Sequence, residues 1–201
     1  MGKLVEVVGP SGVGKTTLVN TLSRTTRFAT AYEGHAERPF QALFKQYKHY
    51  GLANQIDYLL LRAEQEKELR ASPLMGLMDG GLDLDYHGFA RLFHARGWLS
   101  DSEFDLCRRF YELTRQMLPL PDLIIHLTAS QEIIRTRLAV RQRINIASIE
   151  DTALFNQFLE EWLATIPAER LLRLDVSAEG KEFKSSLVLI SKKIRGLKLF
   201  L

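Results

Sequence analysis

Gly9-Pro10-Ser11-Gly12-Val13-Gly14-Lys15-Thr16 follows an apolar run, Leu4–Val8, and opens a helix-length segment, Lys15–Ser23. The stretch satisfies G-x-x-x-x-G-K-[ST] at every required position. Glycines let the backbone curl until successive N–H groups point inward at an anion. The lysine then reaches the outer phosphates as a point charge, the hydroxyl after it can meet Mg2+, and the helix that follows offers its positive N-terminus. Gly9, Ser11, Gly12, Val13, Gly14, Lys15, Thr16 and Thr17 are therefore candidate ligands of ATP, Lys15 also for catalysis and Thr16 also for Mg2+. A strand, a phosphate loop and a helix in that order set the fold class.

Outward from this loop, short apolar runs alternate with helical patterns, the signature of an α/β fold around a parallel sheet. Strands are predicted at Leu4–Val8, Phe28–Tyr32, Leu74–Met78, Leu123–Leu127 and Leu171–Asp175. Helices are predicted at Lys15–Ser23, Phe40–Tyr50, Gln55–Ala71, Gly88–Arg96, Asp101–Met117, Gln131–Arg143, Thr152–Ala164 and Lys181–Ile194. The expected architecture is a three-layer, doubly wound phosphate-loop fold, with a parallel sheet of about five strands. Residues 1–201 read as a single domain, since no repeat, low-complexity stretch or Gly/Ser-rich linker interrupts them.

Composition agrees with an ordinary globular domain: 46% of the 201 residues are apolar and 25% charged. The lone Cys107 cannot form an internal disulfide, which fits a reducing, cytoplasmic setting. No apolar run reaches the roughly 20 residues of a membrane span, the start lacks a secretory apolar region, and Glu6 spoils a myristoylation pattern. No membrane association is expected.

A phosphate loop does not by itself choose among GTPases, ATPases and small-molecule kinases. The guanine-reading Asn-Lys-x-Asp sequence is absent, and the chain is short for a motor ATPase. A kinase needs an arginine-rich lid, and Arg135-Thr-Arg137-Leu-Ala-Val-Arg141-Gln-Arg143 supplies four arginines in nine residues, with Arg137 and Arg141 on one helical face. Phosphoryl transfer spreads negative charge over equatorial oxygens, and clustered guanidinium groups stabilise it. Arg137, Arg141 and Arg143 are thus catalytic candidates; a solvated basic helix face is the bland alternative. Among the aromatics around the expected acceptor segments, Tyr58 and Phe89 are candidates to touch ligand, core packing being the usual fate of such residues. The five histidines show no zinc spacing, and Cys107 reads as a small packed hydrophobe.

From about Lys3 to Asp175 the chain resembles the deoxynucleoside kinase family, in particular its bacterial deoxyguanosine/deoxyadenosine kinase branch. The resemblance rests on Glu33 with Pro39-Phe40, on Gln55 followed by Arg62, on Pro119-x-Pro121-Asp122-Leu123 with Ala129-Ser130, on the arginine lid, and on Glu160-Glu161-Trp162-Leu163. It implies Glu33 as the base that takes the proton from a sugar 5′-hydroxyl. It implies Gln55 and Asp85 as readers of the nucleobase edge, Arg62 as a catalytic group near the acceptor hydroxyl, and Asp79 as a Mg2+ ligand. It also implies a nucleoside-like small-molecule acceptor and a possible homodimer.

Two positions depart from the family's pattern. Its third strand ends in Asp/Glu-Arg-Ser, whereas here Asp79 is followed by Gly80-Gly81. After the lid arginines it places a glutamate, whereas here Ile144-Asn145-Ile146 carries no acid. Arg62 and the lid arginines then compensate, or the acceptor is a nucleoside monophosphate or other small metabolite, or the chain is a regulatory module that binds nucleotide with little turnover. Paired glycines would also open space and backbone N–H groups to a bulkier acceptor.

The chain carries a net charge of +3. Residues 181–201 hold six basic groups against Glu182, a net of +5, which leaves −2 for everything before them. The basicity belongs to a C-terminal helix and tail. Nucleic acid is not an expected partner.

Overall fold

A computed structural model of the chain describes residues 1–32, 38–139 and 151–198. The elements are β1 (Leu4–Val8), α1 (Lys15–Thr25), β2 (Ala29–Ala31), α2 (Pro39–Gln46) and α3 (Gly51–Ala71), then β3 (Gly76–Asp79), α4 (Leu82–Leu84) and α5 (Arg91–Ala95). After these come α6 (Asp101–Met117), β4 (Leu123–Thr128), α7 (Gln131–Ala139), α8 (Asp151–Leu163), β5 (Leu171–Asp175) and α9 (Lys184–Lys198). The five strands form one sheet in the order β2-β3-β1-β4-β5, and every pairing is parallel.

Strand alternation sorts the core into two layers around β1. Val5 and Val7 face one way, onto Leu18, Val19 and Leu22 of α1 and Ile190 and Ile194 of α9. Val8 faces the other, with Leu59 of α3, Cys107 of α6 and Leu159 and Trp162 of α8. Each residue on both faces is buried, as a central parallel strand requires. The C-terminal helix thus packs its apolar side on the sheet while Lys184 and Lys192 stay outside.

Several predicted elements are redrawn. β3 begins at Gly76 because Leu74 and its Pro73 neighbour lie outside the sheet, and the exposed β2 edge keeps only three residues. The helix predicted from Gly88 begins at Leu82 and passes through a π-helical turn, Asp85–Ala90, before α5. Its first half carries the acids Asp83 and Asp85 on buried positions, so no apolar stripe marks it in the sequence. The lid segment beyond Ala139 and the loop holding Glu33 lie outside the described residues.

Candidate active site

The C-terminal end of β1 turns into the phosphate loop, whose Gly9, Gly12 and Gly14 take φ of 145°, 83° and 116°. Close approach adds to this requirement at Gly12, where a Cβ would lie 2.9 Å from the Leu138 side chain of α7. Lys15 Nζ curls back over the loop and donates to the carbonyls of Gly9 and Pro10, at 2.9 and 3.1 Å. Arg137 reaches the loop from α7: its Nη1 donates to Val13 O at 2.6 Å and its Nη2 to Val176 O at 3.4 Å. On the outer side the Phe183 ring stands 3.1 Å from the place of a Gly14 Cβ. The loop is held by α7 and by the segment leading into α9, two contacts that its motif does not announce.

Asp79 ends β3, the neighbour of β1, and is fully buried. Thr16 Oγ1, one residue past the lysine, donates to Asp79 Oδ2 at 2.5 Å. A hydroxyl from the first turn of α1 and a carboxylate from the end of β3 therefore meet beside the phosphate loop. Hard oxygen donors in this arrangement suit Mg2+.

The acceptor-side residues expected from the sequence converge on one another. Arg62 Nε donates to Asp85 Oδ2 at 2.8 Å, and Arg62 Nη1 to Gln65 Oε1 at 3.1 Å. Gln55 Nε2 donates to the Asp85 carbonyl at 2.9 Å, and Gln65 Nε2 to Tyr32 O at 3.0 Å. One face of α3 thereby ties the end of β2 to the π-helical turn. Such turns are rare and are frequently found at functional sites. Phe89 of this turn packs beside Phe155 of α8, with ring centroids 4.9 Å apart, and Tyr58 is half-buried on α3. Ser11 and Thr17 keep their places on the loop and the first turn of α1. The calls on Glu33, Arg141 and Arg143 fall outside the described residues.

The paired glycines do not open space, contrary to expectation. Gly80 has φ +72°, and a Cβ there would meet Arg62 Nη2 at 3.2 Å and Leu84 Cδ2 at 3.3 Å. A Cβ on Gly81 would lie 2.4 Å from Glu6 Oε1. The Gly80 N–H is taken as well, donating to Val7 O at 2.9 Å. Side chains from α3 and β1 occupy what the glycines vacate.

Behind the site lies a buried ionic network that sequence reasoning missed. Arg115 of α6 donates to both carboxyl oxygens of Asp83, at 3.1 and 2.7 Å, and to Glu66 Oε1 at 3.0 Å. Arg70 donates to the same Glu66 oxygen at 2.9 Å. Tyr111 Oη donates to Asp83 Oδ1 at 2.6 Å and stands 3.1 Å from His87 Nε2. Because the Tyr111 proton is directed at Asp83, His87 donates to Tyr111 from Nε2–H. Burial holds its pKa down at about 4, with Arg91 and Arg115 acting in the same direction. Burial pushes the Tyr111 hydroxyl well above its ordinary range, reinforced by Asp83. The signal in the sequence is Glu6, a carboxyl at an inward position of an otherwise apolar strand. Cys107 behaves as expected: it is buried on α6, and burial pushes its thiol up to about 12.

Comparison with known proteins agrees with this geometry. The family model described as "Deoxynucleoside kinase" matches residues 5–194. The chain is 26% identical over 177 residues to a deoxyadenosine kinase of Dictyostelium discoideum, covering 85% of this chain and 72% of the relative. It is 24% identical over 191 residues to a deoxyguanosine kinase of Bacillus subtilis (strain 168), covering 89% and 88%. The solved deoxyadenosine kinase of M. mycoides, with products dCMP and a flexible dCDP bound, superimposes with a TM-score of 0.80 at 21% identity, over 96% of this chain and 99% of that one. With a phosphate loop on β1, the Thr16–Asp79 pair and the Arg62–Asp85–Gln55 cluster at one end of the same five-stranded sheet, the chain belongs to the deoxynucleoside kinase family.

Proposed function

We propose that the chain transfers the γ-phosphoryl group of Mg-ATP to the 5′-hydroxyl of a deoxynucleoside. The observation that carries this is the convergence of the two half-sites on the ends of neighbouring strands: the phosphate loop and Thr16 at β1, Asp79 at β3, and the Arg62–Asp85 pair beyond Gly80. The loop N–H groups and Lys15 hold the phosphates, and Thr16 and Asp79 hold Mg2+. When bound, the ion offsets the charge of the phosphate oxygens. Glu33 takes the proton of the acceptor hydroxyl, and Gln55 and Asp85 orient the nucleobase. Arg62 sits on the acceptor side, anchored through Asp85. Arg137, Arg141 and Arg143 stabilise the charge that spreads over the equatorial oxygens in the transition state. Tyr58 and Phe89 line the base.

The same proposal treats residues 1–201 as one cytoplasmic domain whose basic C-terminal segment braces the sheet, as the buried Ile190 and Ile194 support. None of the described helices is long and apolar enough to cross a membrane. An exposed stripe on α6, Leu106, Leu113 and Met117, favours a homodimer.

A coupled ADP-release assay across deoxynucleosides and nucleoside monophosphates tests the proposal. Turnover with a deoxynucleoside that disappears in Glu33→Gln is the expected result. Tight ATP binding with no acceptor-dependent ADP release from any of them would replace it with a nucleotide-binding module.

A further inference from the structure

Glu6 is the one acid on the inner strand of the sheet, and it is 1% exposed. Its neighbours in the strand are valines, and its carboxyl faces the layer of α3, α4 and α6. Oε1 has no hydrogen-bond partner among the described residues. The groups that bear on it are Asp83 of α4, Arg115 of α6, and Glu66 and Arg62 of α3. Arg62 is held by Asp85, Arg115 pairs with Glu66 and Asp83, and Arg70 pairs with Glu66. Of the three carboxyls Glu6, Glu66 and Asp83, the last two receive the guanidinium hydrogen bonds. A buried carboxylate without donors is costly, so the surplus charge is removed by keeping Glu6 as the acid. Burial, the largest influence, pushes its pKa well above the carboxylate range, and Asp83 pushes it in the same direction.

The Glu6 carboxyl also touches the chain at one telling point. It lies directly under Gly81, so close that a Cβ there would fall 2.5 Å from Glu6 Cδ. Gly81 is the middle of the short connection from Asp79 to the turn that carries Asp85. On the other side of the strand's end, three residues on from Glu6, the phosphate loop begins. A change in Glu6 therefore reaches the acceptor side through its contact with the Gly81 backbone.

We propose that Glu6 is a positioning residue of the acceptor site: its uncharged carboxyl supports Gly81 and so sets the distance between Asp79 and the Arg62–Asp85 pair. The proposal rests on the kinase reading for its kinetic consequences, and on the contact between Glu6 and Gly81 for its structural ones. Glycine at 81 and glutamate at 6 form a matched pair of sizes.

The test compares Glu6→Gln, Glu6→Ala, Gly81→Ala and the double variant Glu6→Ala/Gly81→Ala in the full-length protein. Hydrogen exchange is followed in peptides covering residues 79–90 and 9–16, and KM for acceptor and for ATP is measured with kcat. Glu6→Gln, an uncharged group of the same size, keeps wild-type behaviour. Glu6→Ala and Gly81→Ala each raise exchange in 79–90 and the acceptor KM at least tenfold, with 9–16 and the ATP KM within twofold of wild type. The double variant recovers most of what Gly81→Ala loses, because the new methyl group fills the place of the carboxyl. Equal loosening of both peptides, failure of Glu6→Gln as complete as that of Glu6→Ala, or no recovery in the double variant would overturn the assignment. Should Glu6→Ala not fold, Glu6→Gln and Gly81→Ala still decide between these outcomes. Absence of turnover in the wild type would count against the kinase reading alone, since the exchange data judge Glu6 separately.

Discussion

Arg62 on α3 and Asp85 on the π-helical turn meet at 2.8 Å, with side-chain exposures of 1% and 6%. A pair this dry is a geometric device more than a source of stability, because desolvation offsets most of its Coulomb attraction. Removing one partner is another matter, since a buried charge is then left without its counter-ion, at a cost of roughly 3–5 kcal/mol. Asp85→Ala should accordingly lower Tm by roughly 10 °C, at about 2–4 °C per kcal/mol for a chain of this size. The double change Arg62→Met with Asp85→Leu should regain most of that stability and none of the acceptor-dependent turnover. Thermal unfolding and ADP release, measured on the same preparations, separate the two roles. Recovery of turnover in the double variant would show that the pair is only structural.

Gly80 invites the insertion of an arginine, since related kinases carry one at this position in their motif. The structure predicts that Gly80→Arg fails. A side chain at φ +72° costs about 1 kcal/mol or more, and its Cβ would press on the Arg62 guanidinium at 3.2 Å. Arg62 would be displaced from Asp85, and acceptor kcat/KM should fall at least tenfold, with a lower Tm. Gly80→Ala should show a weaker form of the same loss. A gain in rate from Gly80→Arg would mean that the site is a decayed version of its relatives.

The Thr16–Asp79 contact of 2.5 Å joins the two proposed Mg2+ ligands, one from α1 and one from β3. Asp79→Asn keeps the shape and a hydrogen-bond acceptor but loses the charge that attracts a hard cation. The Mg2+ concentration for half-maximal rate should rise on the order of 10–100-fold. Binding of a nucleotide without Mg2+ should barely change, because Lys15 and the loop N–H groups are untouched. Titration of a fluorescent ATP analogue in the presence and absence of Mg2+ distinguishes these effects.

How much of this was legible in the sequence differs by residue. Leu4–Val8 and Leu171–Asp175 are read to the residue, because apolar runs bounded by Gly9 or by a terminal acid leave little choice of register. Asp101–Met117 is equally legible, since Ser100 and Glu103 form a capping box at its start. Gln55, Arg62 and Asp85 were identified, and the structure brings them together. What they touch was not identified: Arg62 was expected beside the acceptor hydroxyl, and its strongest partner is Asp85. The network of Asp83, Arg115, Glu66 and Tyr111 joins residues up to 49 positions apart, and no local pattern encodes such contacts. Gly80-Gly81 misled for a related reason. A glycine shows in the sequence what it lacks, while the side chains of Glu6 and Arg62 that fill the space arrive from other elements.

Acid stability follows from two neutral histidines. Burial holds His87 and His126 at about 4, far below the ordinary value of 6.5. His126 Nδ1 accepts from Arg173 Nη1 at 3.2 Å, a contact that a second proton would abolish. Between pH 6.5 and 4 the unfolded chain binds protons at these two sites and the folded chain does not, so the histidines' contribution to stability falls as pH falls through that window. Each histidine should remove roughly 2 kcal/mol between pH 7 and pH 5. His87→Phe preserves the stack on Trp162, whose ring centroid is 5.1 Å away, and leaves the Tyr111–Asp83 bond in place. Urea unfolding of wild type and His87→Phe at pH 7 and pH 5 should show a pH-dependent change that differs by roughly 2 kcal/mol between the two proteins, the variant losing less at pH 5, at unchanged m-value. An equal loss in both proteins would mean that His87 gains a proton in the folded state and that burial does not hold it neutral.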